Sequence, residues 1–328
     1  MPASKTLTSS PPLTPDSPWL APLAGYSDLS FRLLCRNLGC RAACTEMISA
    51  KGLFFSTANT MRLLETCDQD LPLVVQLYGS DPDIMGRAVS TLSSKGFRYF
   101  DLNCGCSVKK VVKTGAGAAL LKDTGLLLQM VAAMADMAGP GRVGVKLRLG
   151  WSSEQKVYLD LAAPLADAGA GWITLHPRTA VQQFTGKADW QALKNLKEIS
   201  PVPVVASGDL FTARDALDCV RQTGVDTVMF ARGALMDPAI GMRYKNLLQG
   251  LEDLPRDQEF TLRLCMETID TYRRHASSRA VLKLRTLLPR MIRGLPGAKD
   301  LRKKIILCRQ WAELEEVMNS ARKHLEQA

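Results

Sequence analysis

Seven of eight short apolar runs in this 328-residue sequence are closed by a side chain that can hydrogen-bond or carry charge: Glu46, Gln76, Asn103, Lys146 with Arg148, His176 with Arg178, Ser207 with Asp209, and Arg232. Lys146 sits inside the run Val145-Lys146-Leu147-Arg148, where a purely structural charge is costly to bury. A cation there can stabilise negative charge on a reduced cofactor ring, or its stem can snorkel out of the core. Ser207-Gly208-Asp209 and Ala231-Arg232-Gly233 pair glycine with polar neighbours, a combination that lets backbone N–H groups approach a phosphate. Asn103-Cys104-Gly105-Cys106-Ser107 offers two thiols just past an apolar run, and either can be a nucleophile, a proton donor or a packing residue. There is no CxxC pair and there are only three histidines, so no zinc or other metal site is expected.

Side chains of this kind act together only if the runs that carry them are strands of one sheet. The runs are Trp19 to Ala21, Ala42 to Glu46, Leu73 to Tyr78, Tyr99 to Asn103, Val143 to Leu149, Trp172 to His176, Val202 to Ser207 and Thr227 to Ala231. Most are continuously apolar, as strands buried on both faces of a parallel sheet must be. Between them, Asp81 to Lys95, Leu126 to Ala138, Lys156 to Ala168, Trp190 to Ile199 and Phe211 to Gln222 carry apolar residues at helical spacing. Eight such units within about 250 residues predict an α/β fold, a (β/α)8 TIM barrel, with its site at the carboxyl ends of the strands. A doubly wound dinucleotide-binding sheet is disfavoured, because the first strand runs into Ala21-Pro22-Leu23-Ala24-Gly25 rather than GxGxxG.

Beyond Gly250 the pattern becomes helical only, interrupted by Gly294-Leu295-Pro296-Gly297. The organisation expected is a disordered lead-in over 1–18, a barrel over 19–250 and a small all-helical C-terminal domain over 251–328. The lead-in has no apolar core of a signal peptide and no run is long enough for a membrane span, so a cytoplasmic protein with reduced thiols is expected, with no membrane partner. The net charge of +10 is concentrated: eleven cations lie between Arg273 and Lys304 against the single anion Asp300, and the rest of the chain balances. A solvated helical face is the ordinary reading of such a run. Concentrating the whole excess in about a tenth of the chain instead marks a phosphate-backbone footprint.

These motifs, in this order, resemble those of the tRNA-dihydrouridine synthases over Trp19 to Leu325. The resemblance rests on Ala21-Pro22-Leu23-Ala24-Gly25 with Asp28 and Phe31-Arg32, Thr45-Glu46-Met47, Val75-Gln76-Leu77-Tyr78-Gly79, Asp101-Leu102-Asn103-Cys104-Gly105-Cys106, Lys110-Val111 with Gly115-Ala116-Gly117-Ala118, Val145-Lys146-Leu147-Arg148, His176-Pro177-Arg178-Thr179 and Gly294-Leu295-Pro296-Gly297. It implies FMN bound by Pro22, Leu23, Ala24, Gln76, Lys146 and His176, with its phosphate on Ser207, Gly208, Asp209, Ala231 and Arg232. It implies further that Cys106, three residues after Asn103, is the proton donor, that Asn103 and Arg178 orient the uracil, and that Lys110, Lys113, Arg285, Arg290 and Arg293 meet the tRNA backbone.

The implied reaction has NADPH reduce FMN, a uridine flip out of the tRNA stack, hydride pass to C6 and Cys106 protonate C5, giving 5,6-dihydrouridine. The chain departs from the family pattern at Ser107 (usually Pro), Ser207 (usually Asn) and Ala231 (usually Gly); backbone N–H groups at the last two can still bind phosphate. Two rival readings are an FMN barrel for a small metabolite, such as dihydroorotate dehydrogenases, and a non-catalytic RNA-binding scaffold. The first leaves the basic tail without a use; the second leaves Asn103, Cys106, Lys146 and His176 without one.

Overall fold

The computed structural model of the chain describes residues 10–55, 58–275 and 280–326. Eight strands form the barrel: β1 (Trp19–Leu20), β2 (Ala42–Cys44), β3 (Leu73–Tyr78), β4 (Tyr99–Cys104), β5 (Val143–Arg148), β6 (Trp172–His176), β7 (Val204–Ala206) and β8 (Thr227–Phe230). All neighbours pair in parallel, and β1 pairs with both β2 and β8, which closes the sheet on itself. A two-residue strand not foreseen from the sequence, Ile48–Ser49, pairs with Leu77 and Tyr78 at the upper end of β3.

Alternation along the strands sends one set of residues outward, against the helices, and the other into the barrel. Trp19, Ala42, Cys44, Val74, Tyr99, Trp172, Val205 and Met229, drawn from seven different strands, form a separate apolar cluster and so fill the interior. Trp19 and Trp172 meet edge to face with ring centroids 5.6 Å apart. They fit because Gly144 stands beside Trp172 in register: a Cβ at 144 would lie 1.9 Å from the indole.

The helix expected over Lys156 to Ala168 is confined to Ala162–Asp167. Gly150 and Lys156 form an antiparallel bridge, and the Val157 and Tyr158 amides both donate to the Leu149 carbonyl, so the first part of that segment folds back on the end of β5. The lead-in also differs from expectation in its described part. The Trp19 indole donates to the Pro12 carbonyl at 2.7 Å, Thr227 Oγ1 to Ser17 at 2.9 Å and Tyr244 Oη to Pro15 at 2.8 Å, which ties 10–18 across the amino ends of the strands. Residues 1–9 lie outside the described residues.

Four helices follow the barrel: Gln258–His275, Ala280–Met291, Ala298–Leu307 and Trp311–Glu326. Gly294 and Gly297, both at positive φ, make the turn between the second and third. Leu262, Ile269, Tyr272, Leu284, Leu288 and Ile292 join the same apolar core as the barrel helices, so the tail packs on the barrel rather than hanging from it. Polar contacts reinforce the seam. Lys283 pairs with Asp28, and Arg290 donates to Tyr26 Oη at 3.1 Å while lying 5.3 Å from the centre of its ring.

Gly144→Ala should lower the urea midpoint by the equivalent of about 3 kcal/mol, the upper end of the overpacking range, because the new methyl collides with a ring that has no space to retreat. Gly125→Ala, whose Cβ would meet only Asp123 Oδ1 at 3.6 Å, is the comparison and should be neutral or slightly stabilising. Equal midpoints for the two variants would contradict this account of the interior.

Candidate active site at the carboxyl ends of the strands

Above the tryptophan layer the inward positions become polar, and a cavity of about 310 Å³ opens there. Register alone brings its floor together: Gln76 stands beside Asp101 on β3 and β4, and Asn103 beside Lys146 on β4 and β5. Gln76 Nε2 donates to Asp101 Oδ2 at 2.6 Å, and Asn103 Nδ2 donates to Gln76 Oε1 at 2.8 Å. Asn103 Oδ1 then accepts from the Gly105 and Cys106 amides at 3.2 and 3.0 Å. Burial raises the Asp101 carboxyl and lowers the Lys146 ammonium, each charge partly sustaining the other.

The two thiols that sequence chemistry left equivalent are separated by the strand's alternation. Cys104 points outward into the core, is fully buried, and has its ionisation opposed first by burial and then by the charge of Asp101. Cys106 lines the cavity. Its carbonyl accepts from the Ala118 amide at 2.9 Å, an approach that depends on Gly117, where a Cβ would lie 2.7 Å from that oxygen.

One wall is the turn after β1. The Leu23 amide donates to Ser27 Oγ at 2.9 Å, and the amide of Gly25, at positive φ, donates to Glu46 Oε2 at 2.6 Å. Asp28 caps the next helix through the Phe31 amide, and the buried Arg32 reaches back to the Ser27 carbonyl at 2.7 Å. Pro22, Leu23 and Ala24 therefore face the cavity from a turn braced at both ends.

The opposite wall carries the glycine turns. Ser207, Gly208, Asp209, Ala231, Arg232 and Gly233 all line the cavity. A Cβ on Gly233 would clash with the Leu210 carbonyl at 2.3 Å, and one on Gly208, at a φ of 150°, would be crowded by Pro177 Cδ at 3.0 Å. Arg232 lies between the Phe184 and Phe211 rings, 4.8 Å from each centre, a pairing that alternation of apolar and polar residues gave no means of foreseeing. His176 is pushed down to about 2, first by burial and then by the charges of Lys146, Arg148, Arg178 and Arg232, so its imidazole is neutral at physiological pH.

Arg178 departs from expectation. It does not line the cavity. It is 2% exposed, pairs with both oxygens of Asp209 at 2.9 and 2.7 Å, donates to the Thr185 and Gly186 carbonyls at 3.2 and 2.7 Å, and has Nη1 3.4 Å from His176 Nε2, which accounts for its five donors. Besides Arg232, the arginine that lines the cavity is Arg148, which donates to the Gly105, Thr179 and Gln183 carbonyls at 2.8, 2.9 and 2.7 Å. Together the two arginines hold the loop 179–186 and the Phe184 ring on it over the mouth.

Among the expected backbone-contacting cations, Lys110, Lys113 and Arg293 are exposed and Arg285 is half-buried, whereas the Arg290 guanidinium is engaged with Tyr26. Of the other cations in the basic run, Lys283 pairs with Asp28, Arg273 pairs with Glu315, and Arg279 lies outside the described residues. Among the described residues, no helix is long and apolar enough to cross a membrane and no group of three or more His, Cys, Asp or Glu is placed to hold a metal ion.

The Arg178–Asp209 pair gives a pH test. Burial opposes the Asp209 charge, but hydrogen bonds from Arg178 and Ala188 and the charges of Arg178 and Arg232 outweigh it and hold the carboxyl below its ordinary value. A depressed carboxyl contributes stability that is complete above its unfolded value, about 3.9, and lost as pH falls through the folded one. Asp209→Asn should therefore melt several degrees below wild type at pH 6, with the gap shrinking towards pH 3. A gap independent of pH would show that the charge contributes nothing.

A family model described as dihydrouridine synthase (Dus) matches residues 19–327. Relatives described as probable tRNA-dihydrouridine synthases include one from Treponema pallidum, 36% identical over 239 residues and covering 70% of each chain, and one from Aquifex aeolicus, 30% identical over 308 residues and covering 92% of this chain and 95% of its own. The solved structure of morphinone reductase shares the fold at a TM-score of 0.52 and 12% identity, over 78% of this chain and 94% of that one. With nearly the whole chain matched, barrel and helical tail included, the protein belongs to the dihydrouridine synthase family of oxidoreductases.

Proposed function

We propose that the cavity binds FMN and that the chain, with NADPH as reductant, reduces a uridine of tRNA to 5,6-dihydrouridine. The observation that carries this reading is the convergence of Gln76, Asn103, Cys106, Lys146 and His176 on one cavity whose far wall is two glycine turns, one that excludes a side chain at Gly233 and one that crowds it at Gly208. Such cradles fit a phosphate, and Arg232 beside them supplies a positive charge. Ser207 and Ala231, where the family usually has Asn and Gly, line the same wall.

A bound flavin, once reduced, supplies a hydride to C6 of the uracil. The protein's own residues do the rest. Lys146, which lines the cavity, would offset negative charge on a flavin held there, and its lowered proton affinity follows from burial that also strengthens its field. His176, held neutral, hydrogen-bonds without adding a second charge. Asn103 fixes the backbone of the Cys106 turn, and Cys106 delivers a proton to C5 from the cavity side. Arg178 acts by holding the 179–186 loop, and Arg148 lines the mouth while holding the same loop through the Gln183 carbonyl. Lys110 and Lys113, just after the Cys106 turn, and Arg285 and Arg293 in the tail meet the phosphate backbone. Arg290 serves the barrel–tail seam as well.

Purified protein should be yellow, and Cys106→Ala should keep its flavin and its NADPH-driven bleaching while losing at least about 100-fold in dihydrouridine formation, a loss within the ordinary range for removing a general acid. Full activity in Cys106→Ala, or loss in Cys104→Ala alone, would reassign the donor. Arg285→Glu with Arg293→Glu should weaken tRNA binding about tenfold or more and flatten its salt dependence, with flavin reduction unchanged. Unaltered affinity in filter binding would remove the tail from the footprint.

A further inference from the structure

Every tryptophan and tyrosine is buried or half-buried, and the exposed aromatic rings are Phe54, Phe55, Phe184 and Phe211. All four follow the carboxyl end of a strand: the first two come after β2, Phe184 after β6 and Phe211 after β7. Exposed rings are therefore confined to the half of the barrel that carries the cavity, which chance scatter of surface apolar residues does not explain. Phe184 and Phe211 line the cavity and hold Arg232 between them. Phe54 and Phe55 lie outside it, where the proposed reaction makes no use of them.

Their position follows from the chain just before them. Met47 lines the cavity, Ile48–Ser49 pairs with the upper end of β3, and Ser49 Oγ caps the helix Ala50–Phe54 by accepting from the Gly52 amide at 3.1 Å. Phe55 comes directly after this helix, with its amide on the Gly52 carbonyl at 3.3 Å. The eight residues from Met47 to Phe55 reach at most about 28 Å when extended, and less with that helix among them, so the pair stands on the shoulder of the mouth. The helix Pro82–Ser94, which begins just beyond β3, supplies Arg87, whose guanidinium lies 4.8 Å from the centre of the Phe54 ring. Phe55 is 71% exposed, and among the described residues no ring or cation lies against it.

The surroundings indicate what covers that ring. Lys51 and Arg62 are exposed cations, and no Asp or Glu occurs between Glu46 and Glu65. Apart from Met61, no further exposed large apolar side chain belongs to this segment, so the patch is far smaller than the roughly 800 Å² per partner of a stable protein interface. A flat apolar face among cations instead matches a nucleotide, whose base stacks on the ring while its phosphate meets the charges.

We propose that Phe55, with the Phe54–Arg87 pair beside it, is a stacking platform for an unpaired base of the tRNA whose uridine enters the cavity. This rests on the proposed function and adds to it a second base contact outside the cavity. Since every base has a π-face, the platform accepts any base and acts on affinity rather than on the chemical step.

The test is filter binding of tRNA over a range of salt. Phe55→Ala should weaken binding at least about fivefold, with an unchanged slope of log affinity against log salt because a ring neutralises no phosphate. Phe55→Trp should bind at least as tightly as wild type. Met137→Ala, which trims a comparably exposed side chain near the end of the helix Thr124–Ala138, should bind as wild type does. In turnover, Phe55→Ala should raise the half-saturating tRNA concentration in proportion, with flavin content, flavin reduction by NADPH and the maximal rate unchanged. Unaltered affinity in Phe55→Ala overturns the proposal, as does a loss that lowers the salt slope or that Phe55→Trp shares. A wild-type dimer in sedimentation that Phe55→Ala dissolves would assign the patch to a second copy of the chain and overturn it too. Wild-type protein that holds tRNA without forming dihydrouridine would overturn the proposed function, and the affinity comparison would still decide the role of Phe55.

Discussion

Trp19 and Trp172 fill the lower interior of the barrel because Gly144 leaves them the space, and this packing confines every interior hydrogen-bonding group of the site to the upper half. A barrel of eight strands encloses only a few layers of side chains. With the lower part apolar, the polar inward positions of β3 to β7 are stacked directly beneath the mouth, where water and a ligand can reach the highest of them. Asp101 and Lys146 mark the boundary. They lie deep enough for burial to draw both towards neutrality, yet near enough to the cavity for their charge to act in it.

The mouth is organised by arginines that hold backbone. Arg32, Arg148 and Arg178, all almost fully buried, donate mainly to carbonyl groups of loops and to the carboxylates Asp70 and Asp209. Irregular loops leave carbonyls without partners, and a planar group with five donors is well suited to collect them. The loop geometry at the carboxyl ends is thus specified by Arg32 on a helix, Arg148 on β5 and Arg178 just beyond the end of β6, and Asp209, which Arg178 holds, sits at positive φ.

The barrel was legible in the sequence because strands buried on both faces must be continuously apolar, and the site was legible because strand ends of one barrel share one face. Cys104 and Cys106 were not separable by chemistry, although the period-two alternation that sends Asp101 and Asn103 inward sends Cys104 out. The same alternation could have singled out Asp101. What no local pattern records is pairing at a distance. The roles of Arg178 and Lys283 depend on Asp209 and Asp28, which lie 31 and 255 residues away. The helix expected from 156 onward started late for a related reason, since its amides were taken by the Leu149 carbonyl.

The contacts of Tyr26 and Asp28 with Arg290 and Lys283 make the turn after β1 a shared component of barrel and tail. Helical tails are therefore not interchangeable modules on this scaffold. A chimera whose tail lacked cations at 283 and 290 would leave Asp28 and Tyr26 without their partners, so a graft meant to redirect RNA selection would also disturb the wall beside Pro22, Leu23 and Ala24 unless positions 26 and 28 were exchanged with it.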